Sequence, residues 1–300
     1  MKTIITVLFC LCLATACRNS NSTGNSNEDA PLTTGECQYS DIEFTESDDG
    51  RYMHEGKPFT GVWCLYDDNN SLLVKSAFKD GRANGIIAAY YPTGQLYTEE
   101  PFKDGVAHGL MKMYSESGSL QTEVPFKNGE IEGIAKSYYE DGTLKLEVSF
   151  SAGVVEGLWK DYYESGKLRG VQPYKNARKD GVFKQYDEQG RLNEETPYKN
   201  DVIDGVAKYY YENGGLSSEE PYKMGLREGV AKIYYEGGGL LNETPFKNGL
   251  REGVAKNYYE NGKAAWQIMY LEDMPVSGAC AGGRLLNELE LTDGFFLTCD

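Results

Sequence analysis

Residues 205–225 read GVAKYYYENGGLSSEEPYKMG, and the recurrence of this stretch decides the fold. A glycine returns every 24 residues from Gly61 to Gly253, nine times in all, without insertion or deletion. With that glycine numbered position 1, position 6 is Tyr in all nine copies, position 12 is Leu in eight, and position 18 is always Phe or Tyr. A register held over nine copies indicates a repeat architecture.

Each copy is expected to form a β-hairpin. Positions 2–7 and 12–18 are rich in β-branched and aromatic residues, which favour strands, and glycine interrupts any helical period. Position 10 is Gly in eight copies, whereas position 9 holds residues such as Thr93 and Gln189 that disfavour positive φ. This pattern predicts a type I turn followed by a left-handed glycine, which places position 6 opposite position 12. Position 17 is Pro in six copies, which predicts a bulge or an end of pairing there.

The turn type also predicts which side chains share a face. We expect positions 2, 6, 12 and 18 to form the packed face, with tyrosines stacked from copy to copy. Positions 3, 5, 7, 13, 15 and 17 would form the other face, where residue types vary between copies. That variation predicts either a binding surface or simply an open face that tolerates any residue. The candidate binding residues are Trp63, Met111, Trp159, Tyr163, Phe183, Tyr209 and Tyr235.

The N-terminus has the pattern of an export signal. A basic Lys2 precedes an apolar run of ten residues, 4–13, which is too short to span a bilayer. Small residues at 14–16 and then Cys17 resemble the bacterial lipobox, which implies lipid attachment at Cys17; the alternative is ordinary cleavage after Ala16. The expected organisation is a signal peptide 1–16, a flexible tether 17–36, an N-terminal cap 37–60, nine repeats 61–270 and a C-terminal cap 271–300. Because residue 18 is not Asp, the sorting rule of enterobacterial lipoproteins implies the outer membrane, facing either the periplasm or the outside.

Four cysteines remain in the folded part of an exported chain: Cys37, Cys64, Cys280 and Cys299. An even number in an oxidising compartment predicts two disulfides, with three possible connectivities. Pairing of the nearest neighbours, Cys37 with Cys64 and Cys280 with Cys299, is the interpretation we favour. A zinc site is disfavoured, because the chain has no Cys-x-x-Cys and only two histidines.

Composition excludes several partners and activities. The net charge of −16 argues against nucleic acid and anionic lipid, which both require a basic footprint. Lysine at position 4 and glutamate at position 15 recur and predict weak cross-strand ion pairs. We find no catalytic triad, phosphate-binding loop or metal motif, and we expect no catalytic residues, no cofactor and no bound metal.

The stretch Gly-Val-Ala-Lys-x-Tyr-Tyr-Glu-Asn-Gly-x-Leu, followed by Glu-x-Pro-Tyr-Lys-x-Gly, resembles the bacterial MORN-repeat variant, often labelled the YwqK family of antitoxin-like proteins. The resemblance covers about residues 57–270 and implies an all-β fold, an elongated single-layer antiparallel β-meander of nine 24-residue hairpins. It also implies binding roles: toxin neutralisation, scaffolding or membrane lipid binding.

Together these features predict a non-enzymatic lipoprotein of the cell envelope, a monomer whose sheet binds a protein or a glycan. An antitoxin or immunity protein is the first alternative, although an export signal is not needed for an intracellular antitoxin. An envelope enzyme is the second alternative.

Overall fold

The computed structural model describes residues 36–40, 42–292 and 299. The signal peptide, Cys17 and all of the tether except Glu36 lie outside these residues. Twenty-six strands belong to one sheet and three more form a small second sheet. The prediction of an all-β fold built as a meander of hairpin repeats is therefore confirmed.

The chain divides into two compact units, residues 1–130 and 131–300. In the first unit the strands are β1 (Tyr39–Ser40), β2 (Thr45–Glu46), β3 (Tyr52–His54), β4 (Lys57–Pro58), β5 (Gly61–Tyr66), β6 (Leu72–Lys79), β7 (Arg82–Tyr90), β8 (Leu96–Lys103), β9 (Val106–Ala107), β10 (Gly109–Tyr114) and β11 (Leu120–Lys127). Strand β12 (Glu130–Ile131) lies at the boundary. Strands β2, β3 and β4 form the small sheet, and β1 pairs in parallel with β5.

The strands of the second unit are β13 (Gly133–Tyr138), β14 (Leu144–Ser151), β15 (Val154–Tyr162), β16 (Leu168–Lys175), β17 (Arg178–Lys179), β18 (Gly181–Tyr186), β19 (Leu192–Lys199), β20 (Val202–Ile203), β21 (Gly205–Tyr210), β22 (Leu216–Lys223), β23 (Leu226–Arg227), β24 (Gly229–Tyr234), β25 (Leu240–Lys247), β26 (Leu250–Arg251), β27 (Gly253–Tyr258), β28 (Ala264–Leu271) and β29 (Met274–Cys280). One short helix follows, α1 (Glu288–Thr292).

The hairpin turn has the predicted geometry. In the seventh copy the Gly214 N–H donates to the Tyr211 carbonyl (2.9 Å), and the Tyr211 N–H donates to the Gly215 carbonyl (2.8 Å). Gly214 has a φ of 83°, which only glycine adopts without strain. Tyr210 then lies opposite Leu216, as position 6 opposite position 12 requires.

A second bulge, which the sequence did not reveal, sets the faces of the sheet. In the sixth copy Tyr186 pairs with Leu192, but Gln185 pairs with Glu194, so Asn193 is an extra residue. One extra residue moves every following side chain of that strand to the opposite face.

The predicted composition of the two faces is therefore wrong for the return strand. Positions 1, 3 and 5 share a face with 14, 16 and 18; we call this the aromatic face, and in the sixth copy it carries Phe183, Gln185, Glu194, Thr196 and Tyr198. Positions 2, 4 and 6 share a face with 15 and 17; we call this the ladder face, and there the same copy carries Val182, Lys184, Tyr186, Glu195 and Pro197. The row of aromatic residues at position 18 thus belongs with the variable positions 3 and 5.

Proline at position 17 lies where pairing towards the next hairpin is interrupted, as predicted. Tyr174 pairs with Lys179 and Val171 with Lys184. Between them, the Pro173 carbonyl accepts hydrogen bonds from the Asp180 N–H at 3.1 Å and from the Gln172 side-chain amide at 2.8 Å. The missing N–H of proline is therefore not needed by the sheet.

The four cysteines form two disulfides, one near each end of the described chain. Cys37 is bonded to Cys64 of β5, with Cα atoms 5.8 Å apart. Cys280, at the end of β29, is bonded to Cys299, with Cα atoms 5.5 Å apart. This is the pairing of nearest neighbours, and each bond ties a non-repetitive segment to the terminal hairpin beside it.

Candidate functional site

The structure separates the seven candidate binding residues into two groups. Trp63, Met111, Trp159, Phe183 and Tyr209 occupy positions 3 and 5 and lie on the aromatic face. Tyr163 and Tyr235 occupy position 7 at the turns, where their hydroxyls donate to backbone carbonyls of the next copy, Tyr186 and Tyr258, both at 2.8 Å. The second group therefore joins neighbouring hairpins, and the first group defines the candidate site.

At the N-terminal end, the chain itself covers the aromatic face. The Phe44 ring lies 5.8 Å from Trp63 and 5.9 Å from Phe78, the position 3 and position 18 residues of the first copy. Phe44 also contacts Phe59 and Tyr52 in edge-on geometry. Trp63 therefore belongs to the covered end of the face rather than to an open binding surface.

At the C-terminal end, the chain covers the same face again. Leu286, Leu291 and Cys299 pack against Ile268, at position 16, and its neighbours in a cluster that also contains Tyr270. Ile268 has no exposed surface. The Tyr259 hydroxyl donates to the Cys299 carbonyl (2.6 Å) and holds this segment in place.

In the second unit, the middle copies carry large side chains on the aromatic face. The Trp159 ring lies 6.0 Å from Tyr174, and Trp159 is paired across the hairpin with Gln172. Phe183 in the next copy lies over Gly170. These side chains form the apolar part of the candidate site, at 159–183.

Further along the second unit, basic residues at position 23 lie over the aromatic rings at position 18. Lys179 Nζ lies 4.8 Å from the Tyr198 ring centre, and the Arg251 guanidinium lies 4.2 Å from that of Tyr270. Arg227 is similarly placed over Phe246, at 5.1 Å. Cations in these positions cover ring faces and strengthen the contact between copies. Sequence reasoning missed these pairs, because position 23 is basic in only three of the nine copies.

In the seventh copy the aromatic face carries polar and charged side chains. The Tyr222 hydroxyl (2.7 Å) and the Arg227 guanidinium (2.8 Å) both donate to the Glu220 carboxylate. Burial first, then the carboxylates of Glu194 and Glu220, raise the pKa of Tyr209. The face thus changes from apolar at Trp159 and Phe183 to polar and acidic at Glu194 and Glu220.

The ladder face has a regular polar network with a structural role. The Tyr210 hydroxyl donates to Glu195 of the preceding copy (2.8 Å), and Lys184 pairs with the same carboxylate (2.9 Å). Burial and this hydrogen bond raise the pKa of Tyr210 to about 12. The bonds from Lys184 and Tyr210 lower the pKa of Glu195. Because these side chains are partly exposed, each ion pair contributes only a fraction of a kcal/mol.

Two further findings concern the residues that the structure describes. None of their helices is both long and apolar enough to cross a membrane. Within residues 36–40, 42–292 and 299, no group of three His, Cys, Asp or Glu side chains is placed to hold a metal ion.

The sequence profile of the family described as MORN repeat variant matches eight segments that begin 24 residues apart: 83–104, 107–128, 131–152, 155–176, 179–200, 203–224, 227–248 and 251–263. These segments make up more than half of the chain, so the chain belongs to the MORN repeat variant family.

No curated protein matches the chain. Among solved structures, the crystal structure of TcdB2-TccC3-Cdc42 matches 75% of this chain and 15% of its own, with 14% identity and a TM-score of 0.20. The crystal structure of TcdB2-TccC3 matches 80% of this chain and 17% of its own, with 12% identity and a TM-score of 0.15. This chain therefore spans less than a fifth of either protein's length.

Proposed function

We propose that this protein is a non-enzymatic scaffold of the cell envelope, anchored by a lipid on Cys17, whose aromatic face binds a protein partner. The observation that carries the proposal is the use the chain makes of that face at its own ends. Phe44 packs on Trp63 and Phe78 at one end, and Leu286 and Leu291 pack on Ile268 at the other. In both places, residues at the same repeat positions accept apolar side chains of a polypeptide.

The middle of the second unit offers the same kind of surface. Trp159 and Phe183 lie on the aromatic face there, and both are only partly buried. Aromatic residues of this size are the usual energetic anchors of protein interfaces. A glycan is the alternative partner; because cations cover the rings of Tyr198, Phe246 and Tyr270, a sugar would have to stack at Trp159 and Phe183 instead.

Replacing both Trp159 and Phe183 by alanine is expected to reduce capture of the partner at least about tenfold, because two buried anchors would be lost. Capture is measured in intact cells with a photoreactive residue at Gln185, on the aromatic face beside Phe183. The matched control moves the photoreactive residue to Lys184, which is adjacent in sequence but lies on the ladder face.

A protease-sensitive adduct from position 185 but not from 184, lost in the double variant, supports a protein partner on the aromatic face. An adduct that resists proteases and contains sugar would contradict the protein assignment. Equal adducts from both positions, or undiminished capture by the double variant, would contradict the face assignment. Replacing Val182 and Val206 on the ladder face by alanine controls for general damage to these copies, because both side chains are exposed there.

The lipid anchor has its own test. Metabolic labelling with a fatty acid is expected to label the wild-type protein and the Cys12→Ser variant, but not the Cys17→Ser variant. Cys12 lies within the apolar run of the signal and is removed by cleavage before Cys17. Absence of label from the wild-type protein would favour ordinary cleavage after Ala16, and label that persists in Cys17→Ser would place the fatty acid on another residue; either result contradicts an anchor at Cys17.

The family resemblance leaves an antitoxin or immunity role as the second candidate. It predicts a toxin gene beside the gene of this protein, and a neighbourhood without one counts against it.

A further inference from the structure

The last copy departs from the repeat on its ladder face. Position 19 is Lys in seven copies but Leu271 in the ninth, and position 17 is Pro in six copies but Met269 in the ninth. Position 24 is acidic in six copies but Val276 in the last. Three positions that are polar or proline in most copies are thus occupied together by large apolar residues.

These residues form one exposed patch, which we call the terminal patch: Val254, Met269, Leu271, Met274 and Val276. Met269 pairs directly with Val254, and Leu271 pairs with Met274. Their exposed fractions run from 39% for Val254 and Met269 to 63% for Met274. The patch exposes on the order of 500 Å², which is within the range of the largest apolar patch on a typical monomer, and such patches are often functional.

The described part of the C-terminal segment does not account for the patch. Leu286 and Leu291 pack against Ile268 and Tyr270, on the aromatic face, which is the opposite face of β28. The terminal patch is therefore separate from the cluster that contains Leu286 and Leu291 and from the binding face proposed above.

We propose that the terminal patch joins two copies of this chain by a two-fold interface. The argument is electrostatic. Two chains of net charge −16 repel each other. In addition, the rows of lysine on the ladder face would oppose like charges if two such faces met. At the terminal patch the periodic charges are missing, because Leu271 stands in place of the lysine at position 19 and Val276 in place of the acid at position 24.

A two-fold interface requires one surface to be complementary to itself, and an uncharged apolar patch meets that requirement. A lysine at position 19 would attract an acidic partner, but this copy has Leu271 there. A standard interface buries about 800 Å² from each partner, so the patch would supply more than half of it. The proposed dimer differs from the monomer expected from the sequence.

The test is sedimentation velocity over a range of concentrations on the complete exported chain carrying Cys17→Ser, so that no acyl chain drives association. We expect a reversible equilibrium between monomer and dimer. The double variant Leu271→Lys, Met274→Arg is expected to raise the dimer dissociation constant at least about 30-fold. Both new residues occur at the same positions in other copies, Lys247 and Arg178 for example, so the hairpin tolerates them.

The matched control is Leu226→Arg. Leu226 is 51% exposed and pairs with Lys223, so this variant places the same Lys–Arg pair in the seventh copy, outside the patch. It is expected to leave the dimer intact. A wild-type chain that stays monomeric at every concentration would overturn the proposal. So would a double variant that still dimerises, or a control that dissociates equally.

Discussion

Replacing Gly205 by alanine is expected to destabilise the copies around it by about 3 kcal/mol or more. Gly205 occupies position 1 and has a φ of 126°, where L-residues are strained. A Cβ atom there would also lie 2.8 Å from Cγ of Pro197, the position 17 residue of the preceding copy. Backbone strain and a clash with a rigid ring therefore add together.

Gly214→Ala distinguishes the cost of backbone strain from the cost of the clash with proline. Gly214 has a φ of 83°, but no atom lies within 4 Å of a Cβ built there. It should cost only the strain of the left-handed conformation, about 1–2 kcal/mol. The difference between the two variants measures how tightly each repeat packs against the one before it.

A second substitution, at the proline, is expected to restore part of the stability lost in Gly205→Ala. The fourth copy has Ser149 in place of the proline, and Gly157 follows it with a wider gap, 3.2 Å, to the serine Cβ. Adding Pro197→Ser to Gly205→Ala should recover part of the loss. The readout is amide hydrogen exchange of residues 192–210, because repeat arrays can open locally without unfolding as a whole. Equal costs at Gly205 and Gly214 would show that the proline contact contributes nothing.

The close contact between Gly205 and Pro197 also illustrates what the sequence could predict. The 24-residue register, the hairpins, the turn at Gly214 and the interruption at position 17 all follow from residues with restricted conformations. Proline has a fixed φ angle, and a recurrent glycine indicates a position where φ is positive, so both can be recognised in the sequence. These elements were predicted in full.

The faces of the return strand could not be predicted, because the second bulge lacks such a signature. Its extra residue is Asn193 in one copy and Arg169 in another, and neither is restricted to a bulge conformation. A missed bulge of one residue inverts the face of all later residues in that strand. Trp159 and Phe183 were placed with the variable positions correctly, because they precede the bulge, whereas Tyr174 and Tyr198, which follow it, were not.

The covering of both ends of the aromatic face was also beyond sequence reasoning. Phe44 and Leu291 lie in segments without periodicity, so nothing relates them to a position in the repeat. The contacts of Phe44 and Leu291 depend on tertiary packing alone. The same contacts are the evidence for the proposed binding face.

The second large effect is expected for Phe59→Ala, in the N-terminal segment that covers the aromatic face. Phe59 is only 4% exposed, and its ring lies 5.1 Å from both Tyr39 and Phe44 and 5.7 Å from Phe78. Removing a buried ring leaves a cavity and costs about 3–5 kcal/mol. The first unit is expected to unfold at a lower temperature than in the wild-type protein. Amide hydrogen exchange, recorded as the temperature is raised, measures this unfolding. Phe59→Leu keeps most of the volume and should cost less than about 1.5 kcal/mol.

The loss should reach beyond the cavity, because Tyr39 belongs to β1, which covers the free edge of β5 by pairing with Trp63. Once the cluster around Phe59 loosens, β1 is held only by the Cys37–Cys64 disulfide and by its short pairing with β5. An uncovered edge strand invites pairing with other chains. Phe59→Ala should therefore also aggregate faster than Phe59→Leu on mild heating. If the alanine variant costs less than about 1 kcal/mol, the aromatic cluster does not stabilise this end of the sheet, and the disulfide and the pairing with β5 hold β1 in place.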